Sequence, residues 1–146
     1  MEEGPSYKSV LIIDDDLTLR EMYETYLKAS SFTVVSAQDG EEGLAKAKQS
    51  KPSVILLDLM MPKMNGIEAL KRLKADDELK AIPVIVFTAL IQDLEKQESF
   101  AAGASDYVVK TEVTPKGILE KITQLTTPSQ PAGAPPAQPT SEPPTQ

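Results

Sequence analysis

The sequence V-I-L-L-D-L-M-M-P-K-M-N-G, residues 54–66, places one acidic side chain, Asp58, directly after four apolar residues. Such a short apolar run without polar alternation is typical of a strand that helices cover on both faces. Upstream, residues 10–13 (V-L-I-I) form a second run of this kind, and three aspartates, residues 14–16, follow it. Two predicted parallel strands therefore deliver acidic side chains to one edge of a sheet.

Strand and helix patterns alternate five times along the chain, which predicts an α/β domain with a mostly parallel sheet. Asn65 is a suitable first cap for the third helix, and Thr114 followed by Pro115 predicts the start of the fifth. The predicted strands are residues 10–13, 32–37, 54–57, 84–88 and 107–109. Right-handed crossovers would place the carboxyl ends of these strands at the same edge of the sheet.

The helices differ in how strongly the sequence marks them. The first begins either at Asp16 or at a capping box formed by Thr18 and Glu21. The fourth, about residues 92–102, has few apolar residues, which predicts light packing and an end at Gly103. We expect buried stripes at Leu19, Met22, Tyr23, Tyr26 and Leu27 in the first helix, and at Ile118, Leu119, Ile122 and Leu125 in the last.

Composition limits what the chain can do. It has 146 residues, a net charge of -7, no cysteine and no histidine. These counts exclude a disulfide framework, a thiolate metal site and a phosphohistidine carried by this chain. The negative charge argues against nucleic-acid binding, which needs a basic face. No apolar run approaches the roughly 20 residues of a membrane span, and residues 1–5 do not resemble a signal peptide, so we expect a cytoplasmic protein.

The domain boundaries follow from composition. We expect a flexible N-terminus at residues 1–7, one folded domain at residues 8–126, and a proline-rich disordered tail or linker at residues 127–146. Seven of the twelve prolines lie in the last 21 residues, beside a single charge, Glu142. This segment is either an idle tail or a tether to a further domain or partner, and composition does not decide between them.

Five positions together carry a family resemblance. They are the acidic pair Asp14 and Asp15, Asp58 within D-x-x-M-P-x-M-x-G, Thr88 after P-V-I-V-F, Tyr107, and Lys110 after two valines. On these residues the chain, over roughly residues 8–126, resembles the CheY-like receiver domains of bacterial two-component response regulators. The resemblance implies a doubly wound, flavodoxin-like (βα)5 fold with strand order 2-1-3-4-5.

The resemblance also implies a chemical role for each acid. Asp58 would accept a phosphoryl group from a phosphohistidine on a sensor histidine kinase or a histidine phosphotransfer protein. Asp15, Asp58 and the backbone carbonyl of Met60 would bind Mg²⁺ directly, and Asp14 would act through a bound water. The physical chemistry agrees, since crowded carboxylates repel unless a cation intervenes, and Mg²⁺ prefers hard oxygen ligands.

Three further residues complete the implied site. Lys110 and Thr88 would each bind a phosphoryl oxygen. Thr88 and Tyr107 would then move, which would remodel the surface formed by helix four, strand five and helix five for a downstream protein target or for an output domain beyond the tail. Such a protein is a signalling receiver and not an enzyme acting on an external substrate.

The chain departs from the family pattern at two places. Thr111 follows Lys110 where receivers usually carry a proline, often after a cis bond, so the peptide bond here is either trans or strained. The segment 111–117 also looks about one residue longer than usual.

Met60 and Leu90, which flank the expected path of an attacking water, are both apolar. Because neither side chain can orient that water, we expect slow autodephosphorylation.

Other functions fit the pattern less well. A haloacid-dehalogenase-like phosphatase also uses an aspartate and Mg²⁺, but it places a second acid two residues after the nucleophile, where this chain has Met60. A flavodoxin-like electron carrier would need a first loop that binds phosphate, and residues 14–16 would repel it. A degenerate receiver that serves only as a scaffold is the hardest alternative to exclude.

Overall fold

The computed structural model describes residues 8–126, so the expectations for residues 1–7 and 127–146 lie outside it. Strands and helices alternate as β1 Ser9–Ile13, α1 Leu17–Ala29, β2 Thr33–Ala37, α2 Gly40–Ser50, β3 Val54–Leu57, α3 Gly66–Ala75, β4 Val84–Thr88, α4 Asp93–Ala101, β5 Asp106–Val109 and α5 Pro115–Thr126. A 3₁₀ turn, Lys110–Glu112, follows β5. Within residues 8–126, none of the helices has the length and apolar character to cross a membrane.

The five strands form one parallel sheet in the order β2-β1-β3-β4-β5, which confirms the predicted topology. Its central strands, β1, β3 and β4, are almost entirely apolar and buried, as expected of strands covered on both faces. Ile13 pairs with Leu57, and Thr88 pairs with Val109. This register brings the residues that follow β1 and β3 side by side, and does the same for Thr88 and the residue after β5.

Hydrophobic residues form a core on each face of the sheet. On one face, Leu11, Ile13 and Leu57 pack with side chains from α2 and α3. On the other, alternate strand residues pack with side chains from α1 and α5. There the rings of Tyr23 and Phe87 meet edge to face, with their centroids 5.2 Å apart. Helices on both faces make this a doubly wound fold.

Helix ends follow the cap signals. Asp16 is the cap of α1, since its Oδ1 accepts a hydrogen bond from the Leu19 amide at 3.1 Å, which decides between the two alternatives. Asn65 Oδ1 accepts from the Ile67 amide at 2.7 Å, and Thr114 Oγ1 accepts from the Gly117 amide at 3.1 Å. Each bond satisfies a backbone donor that the first turn of a helix leaves free.

Two predicted core residues are wrong. Met22 is 48% exposed, because α1 buries mainly the row of Tyr23 and Leu27, and Met22 lies about 100° around the helix from Tyr23. Leu125 is 39% exposed, because it lies near the end of α5, almost a full turn beyond the last buried residue, Ile122. Both errors arise because the predicted apolar face of each helix includes more residues than the neighbouring elements cover.

The fourth helix is the most weakly packed. Ser99 is its single buried residue, and Leu94 and Phe100 are both exposed. The helix runs from Asp93 to Ala101, one residue shorter at each end than expected, and Gly103 follows with a positive φ of 109°. The prediction of light packing is confirmed, and this helix lies beside the edge of the sheet where the polar residues gather.

Candidate functional site

Three acidic side chains meet at the carboxyl edge of the sheet. A carboxylate oxygen of Asp14, of Asp15 and of Asp58 can be chosen so that all three lie within 4.8 Å of one another. Asp14 and Asp58 are 1% and 4% exposed, whereas Asp15 is open to solvent. Buried carboxylates are rare unless they are paired or bind a cation, so this cluster marks a site.

The backbone places the two buried acids next to each other. Asp58 donates its amide to the Ile13 carbonyl at 3.0 Å, and Asp14 donates its amide to the Ala37 carbonyl at 3.0 Å. These bonds continue the sheet one residue beyond β3 and β1. Both side chains therefore start from rigid backbone, and neither depends on a loop for its position.

The side chains of Asp14 and Asp58 are oriented in the same way. Asp14 Oδ1 accepts from the amide of Asp16 at 2.9 Å, and Asp58 Oδ1 accepts from the amide of Met60 at 3.1 Å. The other oxygen of each, Oδ2, faces the ammonium group of Lys110. One oxygen thus fixes the rotamer, and the second remains available to a cation or a reacting group.

Lys110 reaches the acids from the end of β5. Its Nζ lies 2.7 Å from Asp14 Oδ2 and 3.3 Å from Asp58 Oδ2, and 5.8 Å from the centroid of the Phe87 ring. The peptide bonds of the described residues are all trans, so the Lys110–Thr111 bond is trans. The replacement of the usual proline by Thr111 therefore leaves the lysine at the acids.

Electrostatics favour a further cation. Burial raises the pKa of Asp14 above its ordinary 3.8 and the charge on Asp58 adds to this, although Lys110 and the Asp16 amide oppose it. Burial also works to lower the pKa of Lys110, but the two carboxylates outweigh it and the pKa rises above 10.5. Two carboxylates thus share one ammonium group, and Asp15 adds a third negative charge beside them.

Asp14 supplies the clearest sign that these acids suit a metal. Its Oδ2 is fully buried and lies 2.7 Å from the Lys110 ammonium, and no backbone amide of residues 8–126 donates to it. A buried carboxylate oxygen with this unused capacity, next to two further acids, fits the oxygen ligands that Mg²⁺ prefers. The donor set therefore fits Mg²⁺ on the evidence of this structure.

Thr88 and Tyr107 are both bonded to the backbone of Leu90. The buried Thr88 accepts from the Leu90 amide through Oγ1 at 3.4 Å, and the hydroxyl of the half-buried Tyr107 donates to the Leu90 carbonyl at 2.8 Å. Burial raises the pKa of Tyr107, and the nearby charge of Glu95 adds to it. The loop from β4 to α4 therefore connects the two residues.

Two contributions to the site are not visible in the sequence pattern. The first is the backbone of Leu90, because a sequence shows the type of a side chain and not where the backbone amide and carbonyl lie. Arg20 is the other: its guanidinium donates to the carbonyl of Asp14 at 2.6 Å and holds the acidic loop against α1. In the sequence, Arg20 looks like any charged residue on the exposed face of a helix, so no pattern indicated its contact with Asp14.

Gly66 is required for the backbone around Asp58. A Cβ at this position would lie 2.4 Å from the Asp58 carbonyl oxygen and 2.4 Å from Leu59 Cα, closer than real contacts allow. The start of α3 can therefore pack against the acid-bearing segment only if residue 66 has no side chain.

A groove runs beside Tyr107 on the surface of α4, β5 and α5. It has a volume of about 290 Å³ and is bordered by Lys96, Glu112 and Lys121 as well as the tyrosine. Lys121 pairs with Asp106 at 2.7 Å, which ties α5 to β5. Tyr107, one of the two implied switch residues, therefore borders this groove, and Leu90 connects it to the other, Thr88.

The family model of the response regulator receiver domain matches residues 10–123, and the chain belongs to this family. It is 41% identical over 101 residues to RpaA of Synechocystis, a DNA-binding dual master transcriptional regulator, covering 69% of this chain and 42% of that protein. It is also 41% identical over 103 residues to PilH of Pseudomonas aeruginosa, covering 69% of this chain and 84% of that protein. The chain spans less than half of RpaA and of other transcriptional regulators it matches.

Solved structures agree with this assignment. The chemotaxis protein CheY4 of Vibrio cholerae superposes with a TM-score of 0.77 at 32% identity, covering 82% of this chain and 99% of CheY4. Receiver domains of two-component systems signal through phosphorylation, generally hold Mg²⁺ with clustered aspartates, and work with histidine kinases or phosphotransfer proteins and with downstream targets. Because the chain belongs to this family, the phosphatase and electron-carrier alternatives are no longer needed to explain its fold and acidic residues.

Proposed function

We propose that Asp58 accepts a phosphoryl group from a phosphohistidine on a sensor histidine kinase or a histidine phosphotransfer protein. The observation that carries the proposal is the state of its carboxylate: Asp58 is buried, Oδ1 is held by an amide, and Oδ2 faces an ammonium group beside two other acids. In the transfer, Oδ2 forms a bond to phosphorus while the bond from phosphorus to the donor imidazole nitrogen breaks. Phosphoryl transfer needs mainly positioning and charge neutralisation, and the site is built for both.

Mg²⁺ would be held by Asp15, Asp58 and the backbone carbonyl of Met60, with Asp14 acting through a water. When bound, Mg²⁺ supplies positive charge where the phosphoryl oxygens meet the acids. Lys110 supplies the second positive charge and would move from the carboxylates to a phosphoryl oxygen as that group arrives. The short distance from Lys110 to both buried acids supports this role.

Phosphorylation would be transmitted through Leu90. Thr88 Oγ1 accepts only a long hydrogen bond from the Leu90 amide, so the side chain can give up that bond at little cost and donate its hydroxyl to a phosphoryl oxygen. That movement frees the amide of Leu90, and the carbonyl of Leu90 accepts the hydrogen bond from the Tyr107 hydroxyl. Because α4 buries a single residue, a small shift in the loop before it can change its position and the α4, β5 and α5 surface.

The signal would be long-lived. Met60 is 53% exposed and Leu90 is half-buried, and both side chains are apolar. Neither is a strong hydrogen-bond acceptor for a water that attacks the aspartyl phosphate, so hydrolysis lacks a group to orient its nucleophile. We therefore propose slow autodephosphorylation.

The output would be a protein contact. The net charge of -7 argues against binding of nucleic acid, so residues 8–126 would act as the receiver and pass the signal to a protein target. A cytoplasmic location would be consistent with the response regulator family. RpaA and related regulators are longer than the matched region. Residues 127–146 would accordingly serve as a linker to an output domain, or as an idle tail if the target is a separate protein.

Intact mass spectrometry after incubation with acetyl phosphate and Mg²⁺ tests the proposal. We expect one phosphoryl adduct on the wild type and on Asp77→Asn, which removes an exposed carboxylate paired with Lys80, and none on Asp58→Asn. No adduct on the wild type would favour a scaffold without phosphoryl chemistry. An equal adduct on Asp58→Asn would place the acceptor elsewhere.

A further inference from the structure

We propose that Met60 is a site of oxidative modification that shortens the lifetime of the phosphorylated state. This inference rests on the proposed function of Asp58. Hydrogen peroxide would oxidise the Met60 thioether to the sulfoxide: the O–O bond of the peroxide breaks, an S–O bond forms, and the peroxide is reduced to water. The modification turns an apolar side chain beside the acceptor into a strong hydrogen-bond acceptor.

The oxidisable side chains of this chain point to Met60. Cysteine and tryptophan are absent, so the thioethers are the groups that peroxide attacks first. In residues 8–126, Met22 is 48% exposed and Met60 is 53% exposed, whereas Met61 is partly buried in the core and Met64 is 6% exposed. Of the methionines in residues 8–126, peroxide therefore reaches two readily, one on α1 and one at the acidic site.

Met60 is held against the acceptor by its own backbone. Its amide donates to Asp58 Oδ1 at 3.1 Å, so its side chain starts beside the carboxylate that would carry the phosphoryl group. The neighbouring methionines, Met61 and Met64, pack into the core, and Met60 does not. Met60 is thus the most exposed methionine of this loop, and its backbone is bonded to Asp58.

The chemical effect follows from polarity. A thioether is a weak hydrogen-bond acceptor, and a sulfoxide oxygen is a strong one. In the oxidised protein that oxygen can orient a water towards the aspartyl phosphate, which neither Met60 nor Leu90 can do in the reduced protein. We expect the decay of the phosphorylated state to accelerate about fivefold, the effect of one hydrogen bond gained in the transition state.

The test compares each protein with itself before and after brief treatment with hydrogen peroxide. Wild type, Met60→Leu and Met22→Leu are phosphorylated with acetyl phosphate and Mg²⁺, the acetyl phosphate is removed, and loss of the adduct is followed by intact mass. Peptide mapping records the oxidation of each methionine, and circular dichroism records the fold. We expect peroxide to accelerate decay in wild type and Met22→Leu, to leave the rate of Met60→Leu unchanged, and methionine sulfoxide reductase to reverse the effect.

The outcomes separate this inference from the proposed function. A wild type that takes up no phosphoryl group before oxidation overturns the proposed function, and this inference with it. An unchanged decay rate after Met60 is oxidised in folded protein overturns this inference alone. Acceleration of Met60→Leu as well, or a Met60 that stays reduced while Met22 is oxidised, also overturns it.

Discussion

Asp14 and Asp58 have the same arrangement of hydrogen bonds at the ends of adjacent strands. In each carboxylate Oδ1 accepts from the amide two residues further on, and Oδ2 faces the ammonium of Lys110, at 2.7 Å for Asp14 and 3.3 Å for Asp58. The lysine is therefore closer to the acid that we expect to bind metal through water than to the acid that we expect to react.

Lys110 and Mg²⁺ should compete for the acidic cluster. Replacing the lysine by Met removes a positive charge within about 3 Å of both buried acids, so we expect Lys110→Met to bind Mg²⁺ roughly tenfold more tightly. Isothermal titration calorimetry at constant ionic strength measures this. Lys80→Met, which removes a solvated lysine paired with Asp77, should leave the affinity unchanged. Equal or weaker binding by Lys110→Met would contradict the competition.

Asp14 should destabilise the metal-free fold near neutral pH. Its pKa is raised in the folded protein, mainly by burial, so the folded state binds a proton more tightly than the unfolded state does. The free energy of unfolding therefore falls as the pH rises through the raised pKa, because ionised Asp14 is less stable in the folded protein. This loss is absent below the ordinary value of 3.8.

We therefore expect Asp14→Asn to stabilise the metal-free protein by about 1 kcal/mol at pH 7. The gain should fade as the pH falls towards 4, where Asp14 of the wild type becomes protonated. Urea unfolding in EDTA at several pH values measures both effects, and Asp77→Asn is the solvated control. A gain that does not depend on pH would show that ionisation is not its cause.

Substitution at Gly66 should disturb the backbone of Asp58. We expect Gly66→Ala to lower the free energy of unfolding by about 2 to 3 kcal/mol, because the new Cβ would overlap the Asp58 carbonyl. Gly117→Ala is a matched control, since its Cβ would meet mainly a methyl group of Val113, which can move. Chemical denaturation measures both variants, and similar losses in the two would contradict the proposed close approach.

A polar side chain beside Asp58 should shorten the signal. We expect Met60→Asn and Leu90→Glu each to accelerate loss of the phosphoryl group by about tenfold, because each supplies a group that can orient water. The decay of the adduct after removal of acetyl phosphate measures the rate. Unchanged rates in both variants would mean that the apolar character of these two positions does not limit hydrolysis.

The sequence predicted the sheet because its central strands are continuous apolar runs. The register came from the structure: Ile13 and Leu57, each one residue before an aspartate, pair with each other in the fold. The stripe of α1 was less predictable: periodicity shows which side chains lie on one side of a helix, and it does not show how far the neighbouring elements extend. Met22 was misplaced for this reason.

The sequence predicted which residue types form the site, but it did not predict most of the hydrogen bonds between them. Acids and a lysine at strand ends could be expected to meet, because parallel strands end at one edge. The link from Thr88 to Tyr107 depends on the backbone of Leu90, whose position is set by the loop and not by its side chain. The contact from Arg20 to the Asp14 carbonyl likewise depends on where α1 packs.

The most direct test of the central claim is to locate the phosphoryl group. After transfer from a phosphorylated histidine phosphotransfer protein in the presence of Mg²⁺, borohydride reduction converts an aspartyl phosphate to homoserine, and peptide mass mapping identifies the residue. We predict homoserine at position 58, with Asp14 and Asp15 unchanged. Homoserine at either of those two positions, or at none of the three, would contradict the assignment of Asp58 as the acceptor.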